Sequence, residues 1–135
     1  MPIFTWENRY SIDVEQIDEH HRHLVALLNK AYDNFLQFSP HGELNKLLHE
    51  LIDYATYHFS AEEQRMQENN YPQAATHKRE HAEFIRRVGE MHADFQSRKV
   101  YFLEILGFLY EWLTSHILQT DAELGRFLNA AATRR

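Results

Sequence analysis

The chain has 135 residues, the length of one ordinary domain, and 44% of them are hydrophobic, which is enough for a single core. Its formal net charge of -6 argues against a nucleic-acid partner and against an anionic membrane surface, since both need clustered Lys and Arg. The absence of cysteine excludes disulfides, zinc–thiolate sites and iron–sulfur clusters. The ten histidines are many for this length, whereas glycine and proline are scarce, so the composition favours helices and metal binding.

The N-terminal sequence has neither the basic n-region nor the apolar h-region of a secretory signal. No stretch of the sequence approaches the roughly 20 apolar residues that a membrane span requires. We therefore expect a cytoplasmic protein without a membrane span, forming a single domain over residues 1–135, and we expect it to be a monomer.

Large apolar side chains at even spacing, from Phe4 and Trp6 to Val14, predict an extended N-terminal arm that lies on the body of the protein. The first helix is predicted to begin near Ile17, where apolar residues start to recur in steps of three and four. Ser39 and Pro40 end this helix and signal the start of the next. The core stripe of the first helix is Ile17, His21, Leu24, Leu28, Ala31, Phe35 and Phe38.

Three further helices follow with the same periodicity. The second runs to about Glu68 and ends before Pro72, which suits the first turn of the third helix. A break near Ser97 precedes the fourth helix, and residues from about 122 to 135 predict a short last helix. The stripes are Leu44, Leu48, Leu51, Ala55, His58, Glu62 and Met66; then Ala74, His77, His81, Phe84, Val88, Met91 and Phe95; then Phe102, Ile105, Leu109, Trp112 and His116.

Four amphipathic helices with short connections pack most simply as an all-α, up-down-up-down four-helix bundle. The stripes should be apolar, yet they contain six polar residues and no Lys or Arg. In such a bundle the polar positions of all four helices fall at one end. Burying them without partners would cost several kcal/mol each, so the sequence predicts metal coordination there. The six residues are His21, His58, Glu62, His77, His81 and His116.

Local spacing supports the same hypothesis, because His58 with Glu62 and His77 with His81 are i,i+4 pairs on one helix face. Five histidines and a carboxylate exceed the needs of one tetrahedral zinc, and calcium prefers oxygen ligands alone. Nitrogen with carboxylate suits iron, and the number of ligands suggests two ions bridged by carboxylate.

Over nearly the whole chain, several short segments occur in an order and at a spacing that resemble those of the bacteriohemerythrins. These are a hemerythrin-like family of non-heme diiron oxygen-binding proteins. In this family the residue before the first ligand is usually glutamine and is histidine here, so the ligand is either His20 or His21, and the stripe favours His21. The segments are Ile17-Asp18-Glu19-His20-His21, His58-Phe59 with Glu62-Glu63, Tyr71-Pro72 before His77 and His81, and His116 with Asp121 five residues later.

The resemblance implies that His77, His81 and His116 bind one iron, while His21 and His58 bind the other. Glu62 and Asp121 would bridge both irons together with an oxo or hydroxo group. The second iron would keep one open position, where the diferrous pair binds dioxygen reversibly. Asp121 does not continue the helical stripe, so a widened turn or the helix end is needed to bring it inward.

The expected function is therefore oxygen storage, delivery or sensing, with dioxygen as ligand and an oxygen-using protein as a possible partner. The alternative is a diiron redox enzyme, such as a peroxidase or an oxidase of nitric oxide or iron. A third hypothesis is a redox-silent bundle held together by metal. The Glu-x-x-His motif of ferritin-like oxidases is absent, which favours binding over turnover.

Residues near the site have simpler interpretations as well. Leu24 and Trp112 are predicted to line a largely dry oxygen pocket together with Ala55 and Phe84, although aromatic residues in the stripes are also ordinary core. The remaining histidines fall off the stripes and are predicted to be solvated, as are three acidic residues on the helix faces. These are His20, His23, His41, His49 and His92, and Asp18, Glu19 and Glu63.

Overall fold

The computed structural model describes residues 4–133, and every regular element in that range is helical. A 3₁₀ helix, Asn8–Tyr10, precedes the first α-helix, and a π-helical segment, His116–Asp121, joins the last two without a break. The α-helices are α1 (Glu15–Leu36), α2 (His41–Glu68), α3 (Ala74–Gln96), α4 (Phe102–Ser115) and α5 (Ala122–Thr133). The predicted all-α class with a short C-terminal helix is confirmed.

The four long helices surround one core. Helix α1 packs against α2 and α4, and α3 packs against the same two helices, as in an up-down-up-down bundle. Nearly all stripe residues of these helices are buried, while Phe35, Ala74, Met91 and Trp112 are half-buried. In the described part of the chain, no helix has the length and apolar character needed to cross a membrane.

Phe38 was predicted to be a core residue, and that prediction is wrong. Helix α1 ends at Leu36, and Phe38 is 93% exposed with a φ of 59°, in the left-handed region. The backbone N–H groups of Phe38 and Ser39 donate to the carbonyls of Phe35 and Asn34, which is the hydrogen-bond pattern of a Schellman cap. The three-four pattern thus continues in the sequence beyond the last helical turn.

The N-terminal arm lies on the body of the protein, as predicted, although it contains a 3₁₀ turn; the prediction for residues 1–3 falls outside the described residues. One of its anchors is Asp18, which accepts hydrogen bonds from the Ser11 hydroxyl at 2.7 Å and the Ile12 backbone N–H at 2.9 Å. Asp18 is buried, so the prediction that it is solvated is wrong. Within the described part of the arm, the buried apolar residues are Phe4, Tyr10 and Ile12.

Candidate metal centre

Seven polar side chains meet at the end of the bundle where α1 and α3 begin and α2 and α4 end. They come from α1, α2, α3 and the π-helical segment that continues α4, and each is at most 3% exposed. Every metal-ligating position predicted from the sequence is among them. They are His21, His58, Glu62, His77, His81, His116 and Asp121.

The π-helical segment explains how Asp121 joins the group. In an α-helix a residue five positions after His116 would point about 140° away from it, since each residue turns the helix by about 100°. Hydrogen bonding from i to i+5 instead places Asp121 on the same face as His116, one widened turn along the helix. The His116 Nε2 to Asp121 Oδ1 distance is 3.1 Å, so of the two predicted alternatives the widened turn is the one present.

The ligand atoms form two groups that share both carboxylates. In each group all the atoms lie within 4.8 Å of one another. The three-histidine group contains His77, His81 and His116 with Glu62 and Asp121, and the two-histidine group contains His21 and His58 with the same two carboxylates.

The shared carboxylates face both groups. Asp121 Oδ1 lies 3.0 Å from His77 Nε2, whereas its Oδ2 lies 2.9 Å from His21 Nε2. Glu62 Oε1 lies 3.0 Å from His58 Nε2 and 3.4 Å from His81 Nε2. The arrangement suits carboxylates that bridge two cations.

Hydrogen bonding within the protein does not satisfy this cluster. All four oxygens of Glu62 and Asp121, both ring nitrogens of His21 and His77, and Nε2 of His58 are buried without a hydrogen-bond partner. Several of these atoms are about 3 Å apart and still form no hydrogen bond with one another. Buried polar groups are normally paired, so lone pairs that converge in this way fit a metal ion.

Electrostatics inside the cluster agree with that interpretation. Burial and the nearby charge of Asp121 raise the pKa of Glu62 well above its usual value. Burial lowers the pKa of His58 well below its usual value and that of His81 to about 2, so both imidazoles are neutral. Burial also lowers the pKa of His116, but Asp121 and Glu80 outweigh it and raise the pKa to about 9. A bound cation would replace the proton that His116 carries.

Aromatic rings pack directly on two of the histidines. Phe59 stacks on His81 with a centroid distance of 3.9 Å, and Trp112 stacks on His116 at 4.4 Å. Leu24 is fully buried one helical turn from His21. The surroundings of the cluster are therefore largely apolar, with Trp112 half-buried at the edge.

The ambiguity between two adjacent histidines is resolved by their contacts. His21 lies in the cluster, whereas Nδ1 of His20 lies 2.9 Å from Nδ1 of His58, on the outer side of that ring. His20 is buried, so the prediction that it is solvated is wrong. His41 and His92 are half-buried with hydrogen-bond partners, and only His23 and His49 are exposed.

Sequence periodicity did not identify two carboxylates that contact the outer ring nitrogens of ligand histidines. Glu63, predicted to be solvated, accepts a hydrogen bond from Nδ1 of His81 at 2.9 Å. Glu80 accepts one from Nδ1 of His116 at 3.1 Å. Each acid lies one position from a ligand in the sequence but touches a different ligand on another helix, so the period of a single helix could not reveal it. Glu19 is exposed, as predicted.

A four-helix bundle with a buried cluster of histidines and shared carboxylates defines the class of helical cation-binding domains. Residues 12–128 match the family model described as the hemerythrin HHE cation binding domain. The chain belongs to the hemerythrin family.

Individual relatives are similar over most of their length. A bacteriohemerythrin of Clostridium acetobutylicum is 32% identical over 90% of this chain and 98% of its own. A bacteriohemerythrin of Stenotrophomonas maltophilia is 34% identical over 90% of this chain and 78% of its own. The crystal structure of wild-type hemerythrin superposes with a TM-score of 0.86 at 28% identity, covering 93% of this chain and 98% of the other.

Proposed function

We propose that the chain binds two iron ions in the cluster and binds dioxygen reversibly at the two-histidine position. His77, His81 and His116 would hold one ion, His21 and His58 the other, and Glu62 and Asp121 both, with a bridging oxo or hydroxo group. A pair of ferrous ions supplies the two electrons that reversible dioxygen binding requires. The membership of the hemerythrin family supports iron as the metal.

The observation that carries the proposal is the unequal division of ligands. Both groups share the two carboxylates, but one has three histidines and the other has two. A position with one fewer protein ligand leaves room for an exogenous ligand, and it lies at the buried side chains of His21 and His58.

The protein surroundings favour binding over turnover. Five neutral imidazoles and two carboxylates form a less anionic ligand set than the carboxylate-rich oxidases use. Leu24 and the stacked rings of Phe59 and Trp112 exclude water from much of the cluster, which limits the protons available for further chemistry.

The test is anaerobic reconstitution with ferrous iron, followed by visible spectra as air is admitted and removed. We expect two irons per chain and an oxygen-dependent charge-transfer band that appears and disappears over repeated cycles. His58→Ala removes a ligand of the two-histidine position and should abolish the band, while His49→Ala, at an exposed histidine, should leave it unchanged. Irreversible conversion to a ferric spectrum would favour the diiron redox enzyme instead.

A further inference from the structure

The two ligand groups differ on their outer side, away from the cluster centre. In the three-histidine group, Nδ1 of His81 donates to Glu63 and Nδ1 of His116 donates to Glu80. Glu80 is itself fixed by the Thr120 hydroxyl, which lies 2.8 Å and 3.0 Å from its two oxygens. Two of the three histidines therefore have a carboxylate behind them.

The two-histidine group has no such support within the described residues. Nδ1 of His58 faces another imidazole, that of His20, at 2.9 Å. Nδ1 of His21 is buried and has no hydrogen-bond partner. The ion pairs of His21 and His58 in residues 4–133 are to Asp121 and Glu62 through Nε2, at the centre of the cluster.

A carboxylate behind an imidazole changes the ring as a ligand. It holds the hydrogen on Nδ1, leaves the Nε2 lone pair directed inward, and makes the nitrogen a stronger donor. With both hydrogens held outward by Glu63 and Glu80, the Nε2 atoms of His81 and His116 face each other at 3.2 Å. A positive charge holds these two nitrogens at this distance. In the metal-free protein it is the proton of His116, and a metal ion that replaced this proton would be bound by both Nε2 atoms, so the group is arranged for a cation in advance.

We propose that Glu63 and Glu80 are positioning residues that make the three-histidine group the tighter of two unequal cation positions. The chain takes up its first divalent cation between His77, His81 and His116, and its second at His21 and His58. This inference rests on the proposed metal binding but requires neither iron nor dioxygen.

The test is titration of the metal-free protein with Co²⁺, followed by visible absorption and calorimetry. We expect two separate binding steps. His116→Ala should remove the tighter step and His58→Ala the weaker one. Glu63→Gln and Glu80→Gln should each weaken the tighter step by about 10- to 100-fold and leave the weaker step unchanged, as expected for the loss of an outer hydrogen-bond partner.

The matched control is Glu19→Gln, which removes one negative charge from an exposed side chain of α1 and should change neither step. A merely structural role would weaken both steps together and lower the melting temperature of the metal-free protein. Equal affinities, a single step, or equal weakening of both steps would overturn the inference. This test can be told apart from the oxygen experiment. Two unequal Co²⁺ binding steps in a protein that does not bind oxygen reversibly would contradict the proposed function and leave this inference standing.

Discussion

Glu62 is a fully buried carboxylate whose ion pairs within the described residues are all to histidines. Without a cation its charge is expensive to bury, since Asp121 lies in the same cluster. We expect Glu62→Gln to lower the metal content after reconstitution while stabilising the metal-free protein at pH 7 by about 1 kcal/mol or more. Metal analysis and urea unfolding of the metal-free forms measure the two effects.

The control for that substitution is Asp53→Asn, which neutralises an exposed carboxylate paired with His49. Exposed ion pairs contribute little, so neither metal content nor stability should change measurably. A metal-free Glu62→Gln protein less stable than the wild type would show that Glu62 stabilises the empty cluster.

Leu24 is the apolar side chain for which a role in the proposed oxygen pocket is most directly testable. A polar side chain there would bring water toward the two-histidine group, so we expect Leu24→Asn to speed the oxidation of the reduced, iron-loaded protein several-fold. The rate is measured from the decay of the oxygen-dependent absorption band after stopped-flow or manual mixing. Leu48→Asn is the matched control, since Leu48 is equally buried but lies toward the other end of α2.

Both leucine variants should lose stability by similar amounts, of the order of 3 kcal/mol, because each buries an unsatisfied amide. Equal oxidation rates in the two variants would mean that Leu24 does not control access to the site.

At the residue scale, the sequence identified the side chains that face the centre of the cluster. It did not identify Glu63 and Glu80, which contact the outer side of the histidine rings. His58, Glu62, His77 and His81 follow the helical period, so their common face was predictable. The contact of His81 with Glu63 joins α3 to α2, and that of His116 with Glu80 joins the π-helical segment to α3. Such contacts depend on the rotation of each helix about its axis, which periodicity fixes only coarsely.

Helices α1, α2 and α3 end in the same way, with a non-glycine residue in the left-handed region: Phe38, Asn70 and Arg98. An L residue with a Cβ atom is strained there by about 1 kcal/mol relative to glycine. Since Phe38 is also 93% exposed, we expect Phe38→Gly to raise the free energy of unfolding by about 1 kcal/mol. Chemical denaturation measures the difference.

Gln37→Gly provides the control, because Gln37 is exposed and has a φ of -90°, which any residue adopts. Glycine at that position gains nothing in the folded state and makes the unfolded chain more flexible, so the variant should be neutral or less stable. Equal effects of both substitutions would contradict the assigned strain at Phe38.

Gly125 in α5 allows the N-terminal arm to approach the last helix. A Cβ atom at this position would lie 2.6 Å from Cβ of Ile12 and 2.7 Å from its backbone oxygen. We expect Gly125→Ala to displace the arm and destabilise the protein by about 1–3 kcal/mol, although alanine is the better helix former. Thermal unfolding and proteolysis of the arm measure the two effects.

Gly107 in α4 provides the matched control, Gly107→Ala. A Cβ atom added at this position would have open space around it, with no described atom of another helix within 4 Å. The substitution should stabilise the protein by up to about 1 kcal/mol through helix propensity alone. Destabilisation by both alanines would mean that something other than the contact with Ile12 is responsible.

At the element scale, helix boundaries followed from periodicity and from the few proline and polar breaks. The start of α1 at Glu15 is two residues before the predicted position, and the end of α2 at Glu68 was predicted correctly. The π-helical segment was only inferred as one of two possibilities, because no local composition distinguishes it from an α-helix. Asp121 at its end gave the only indication.

On the scale of the whole molecule, the ligands lie toward one end of the bundle, where a small apolar cluster that includes Ile17, Met66 and Leu124 is also buried. The larger apolar cluster includes Leu44, Leu48 and Phe102 at the opposite end. We expect metal removal by chelation to lower the melting temperature, because ligands that bind only the folded state stabilise it.

Hydrogen exchange should show that this loss is local. Amides around the ligands in α1, α2, α3 and the π-helical segment should exchange faster after chelation, while those around Leu48 and Ile105 should keep their protection. A uniform increase over all helices would indicate that the metal stabilises the bundle as one cooperative unit.

The fold was largely predictable at this scale because four stripes of similar length leave few ways to bury them together. In this topology the polar positions of the stripes fall at one end, and the structure places them there. The sequence did not show that large apolar side chains next to the helix ends, such as Phe38 and Tyr101, are exposed. Their spacing from neighbouring apolar residues resembles the spacing of core residues.

The ligand cluster draws on both ends of the chain, from His21 in α1 to Asp121 just before α5. A ribosome therefore synthesises His21 long before Asp121. The two-histidine group, which needs both, can close only after Asp121 has left the ribosome. Until then a nascent chain exposes an incomplete set of ligands, so complete cation binding would have to follow the synthesis of this carboxylate.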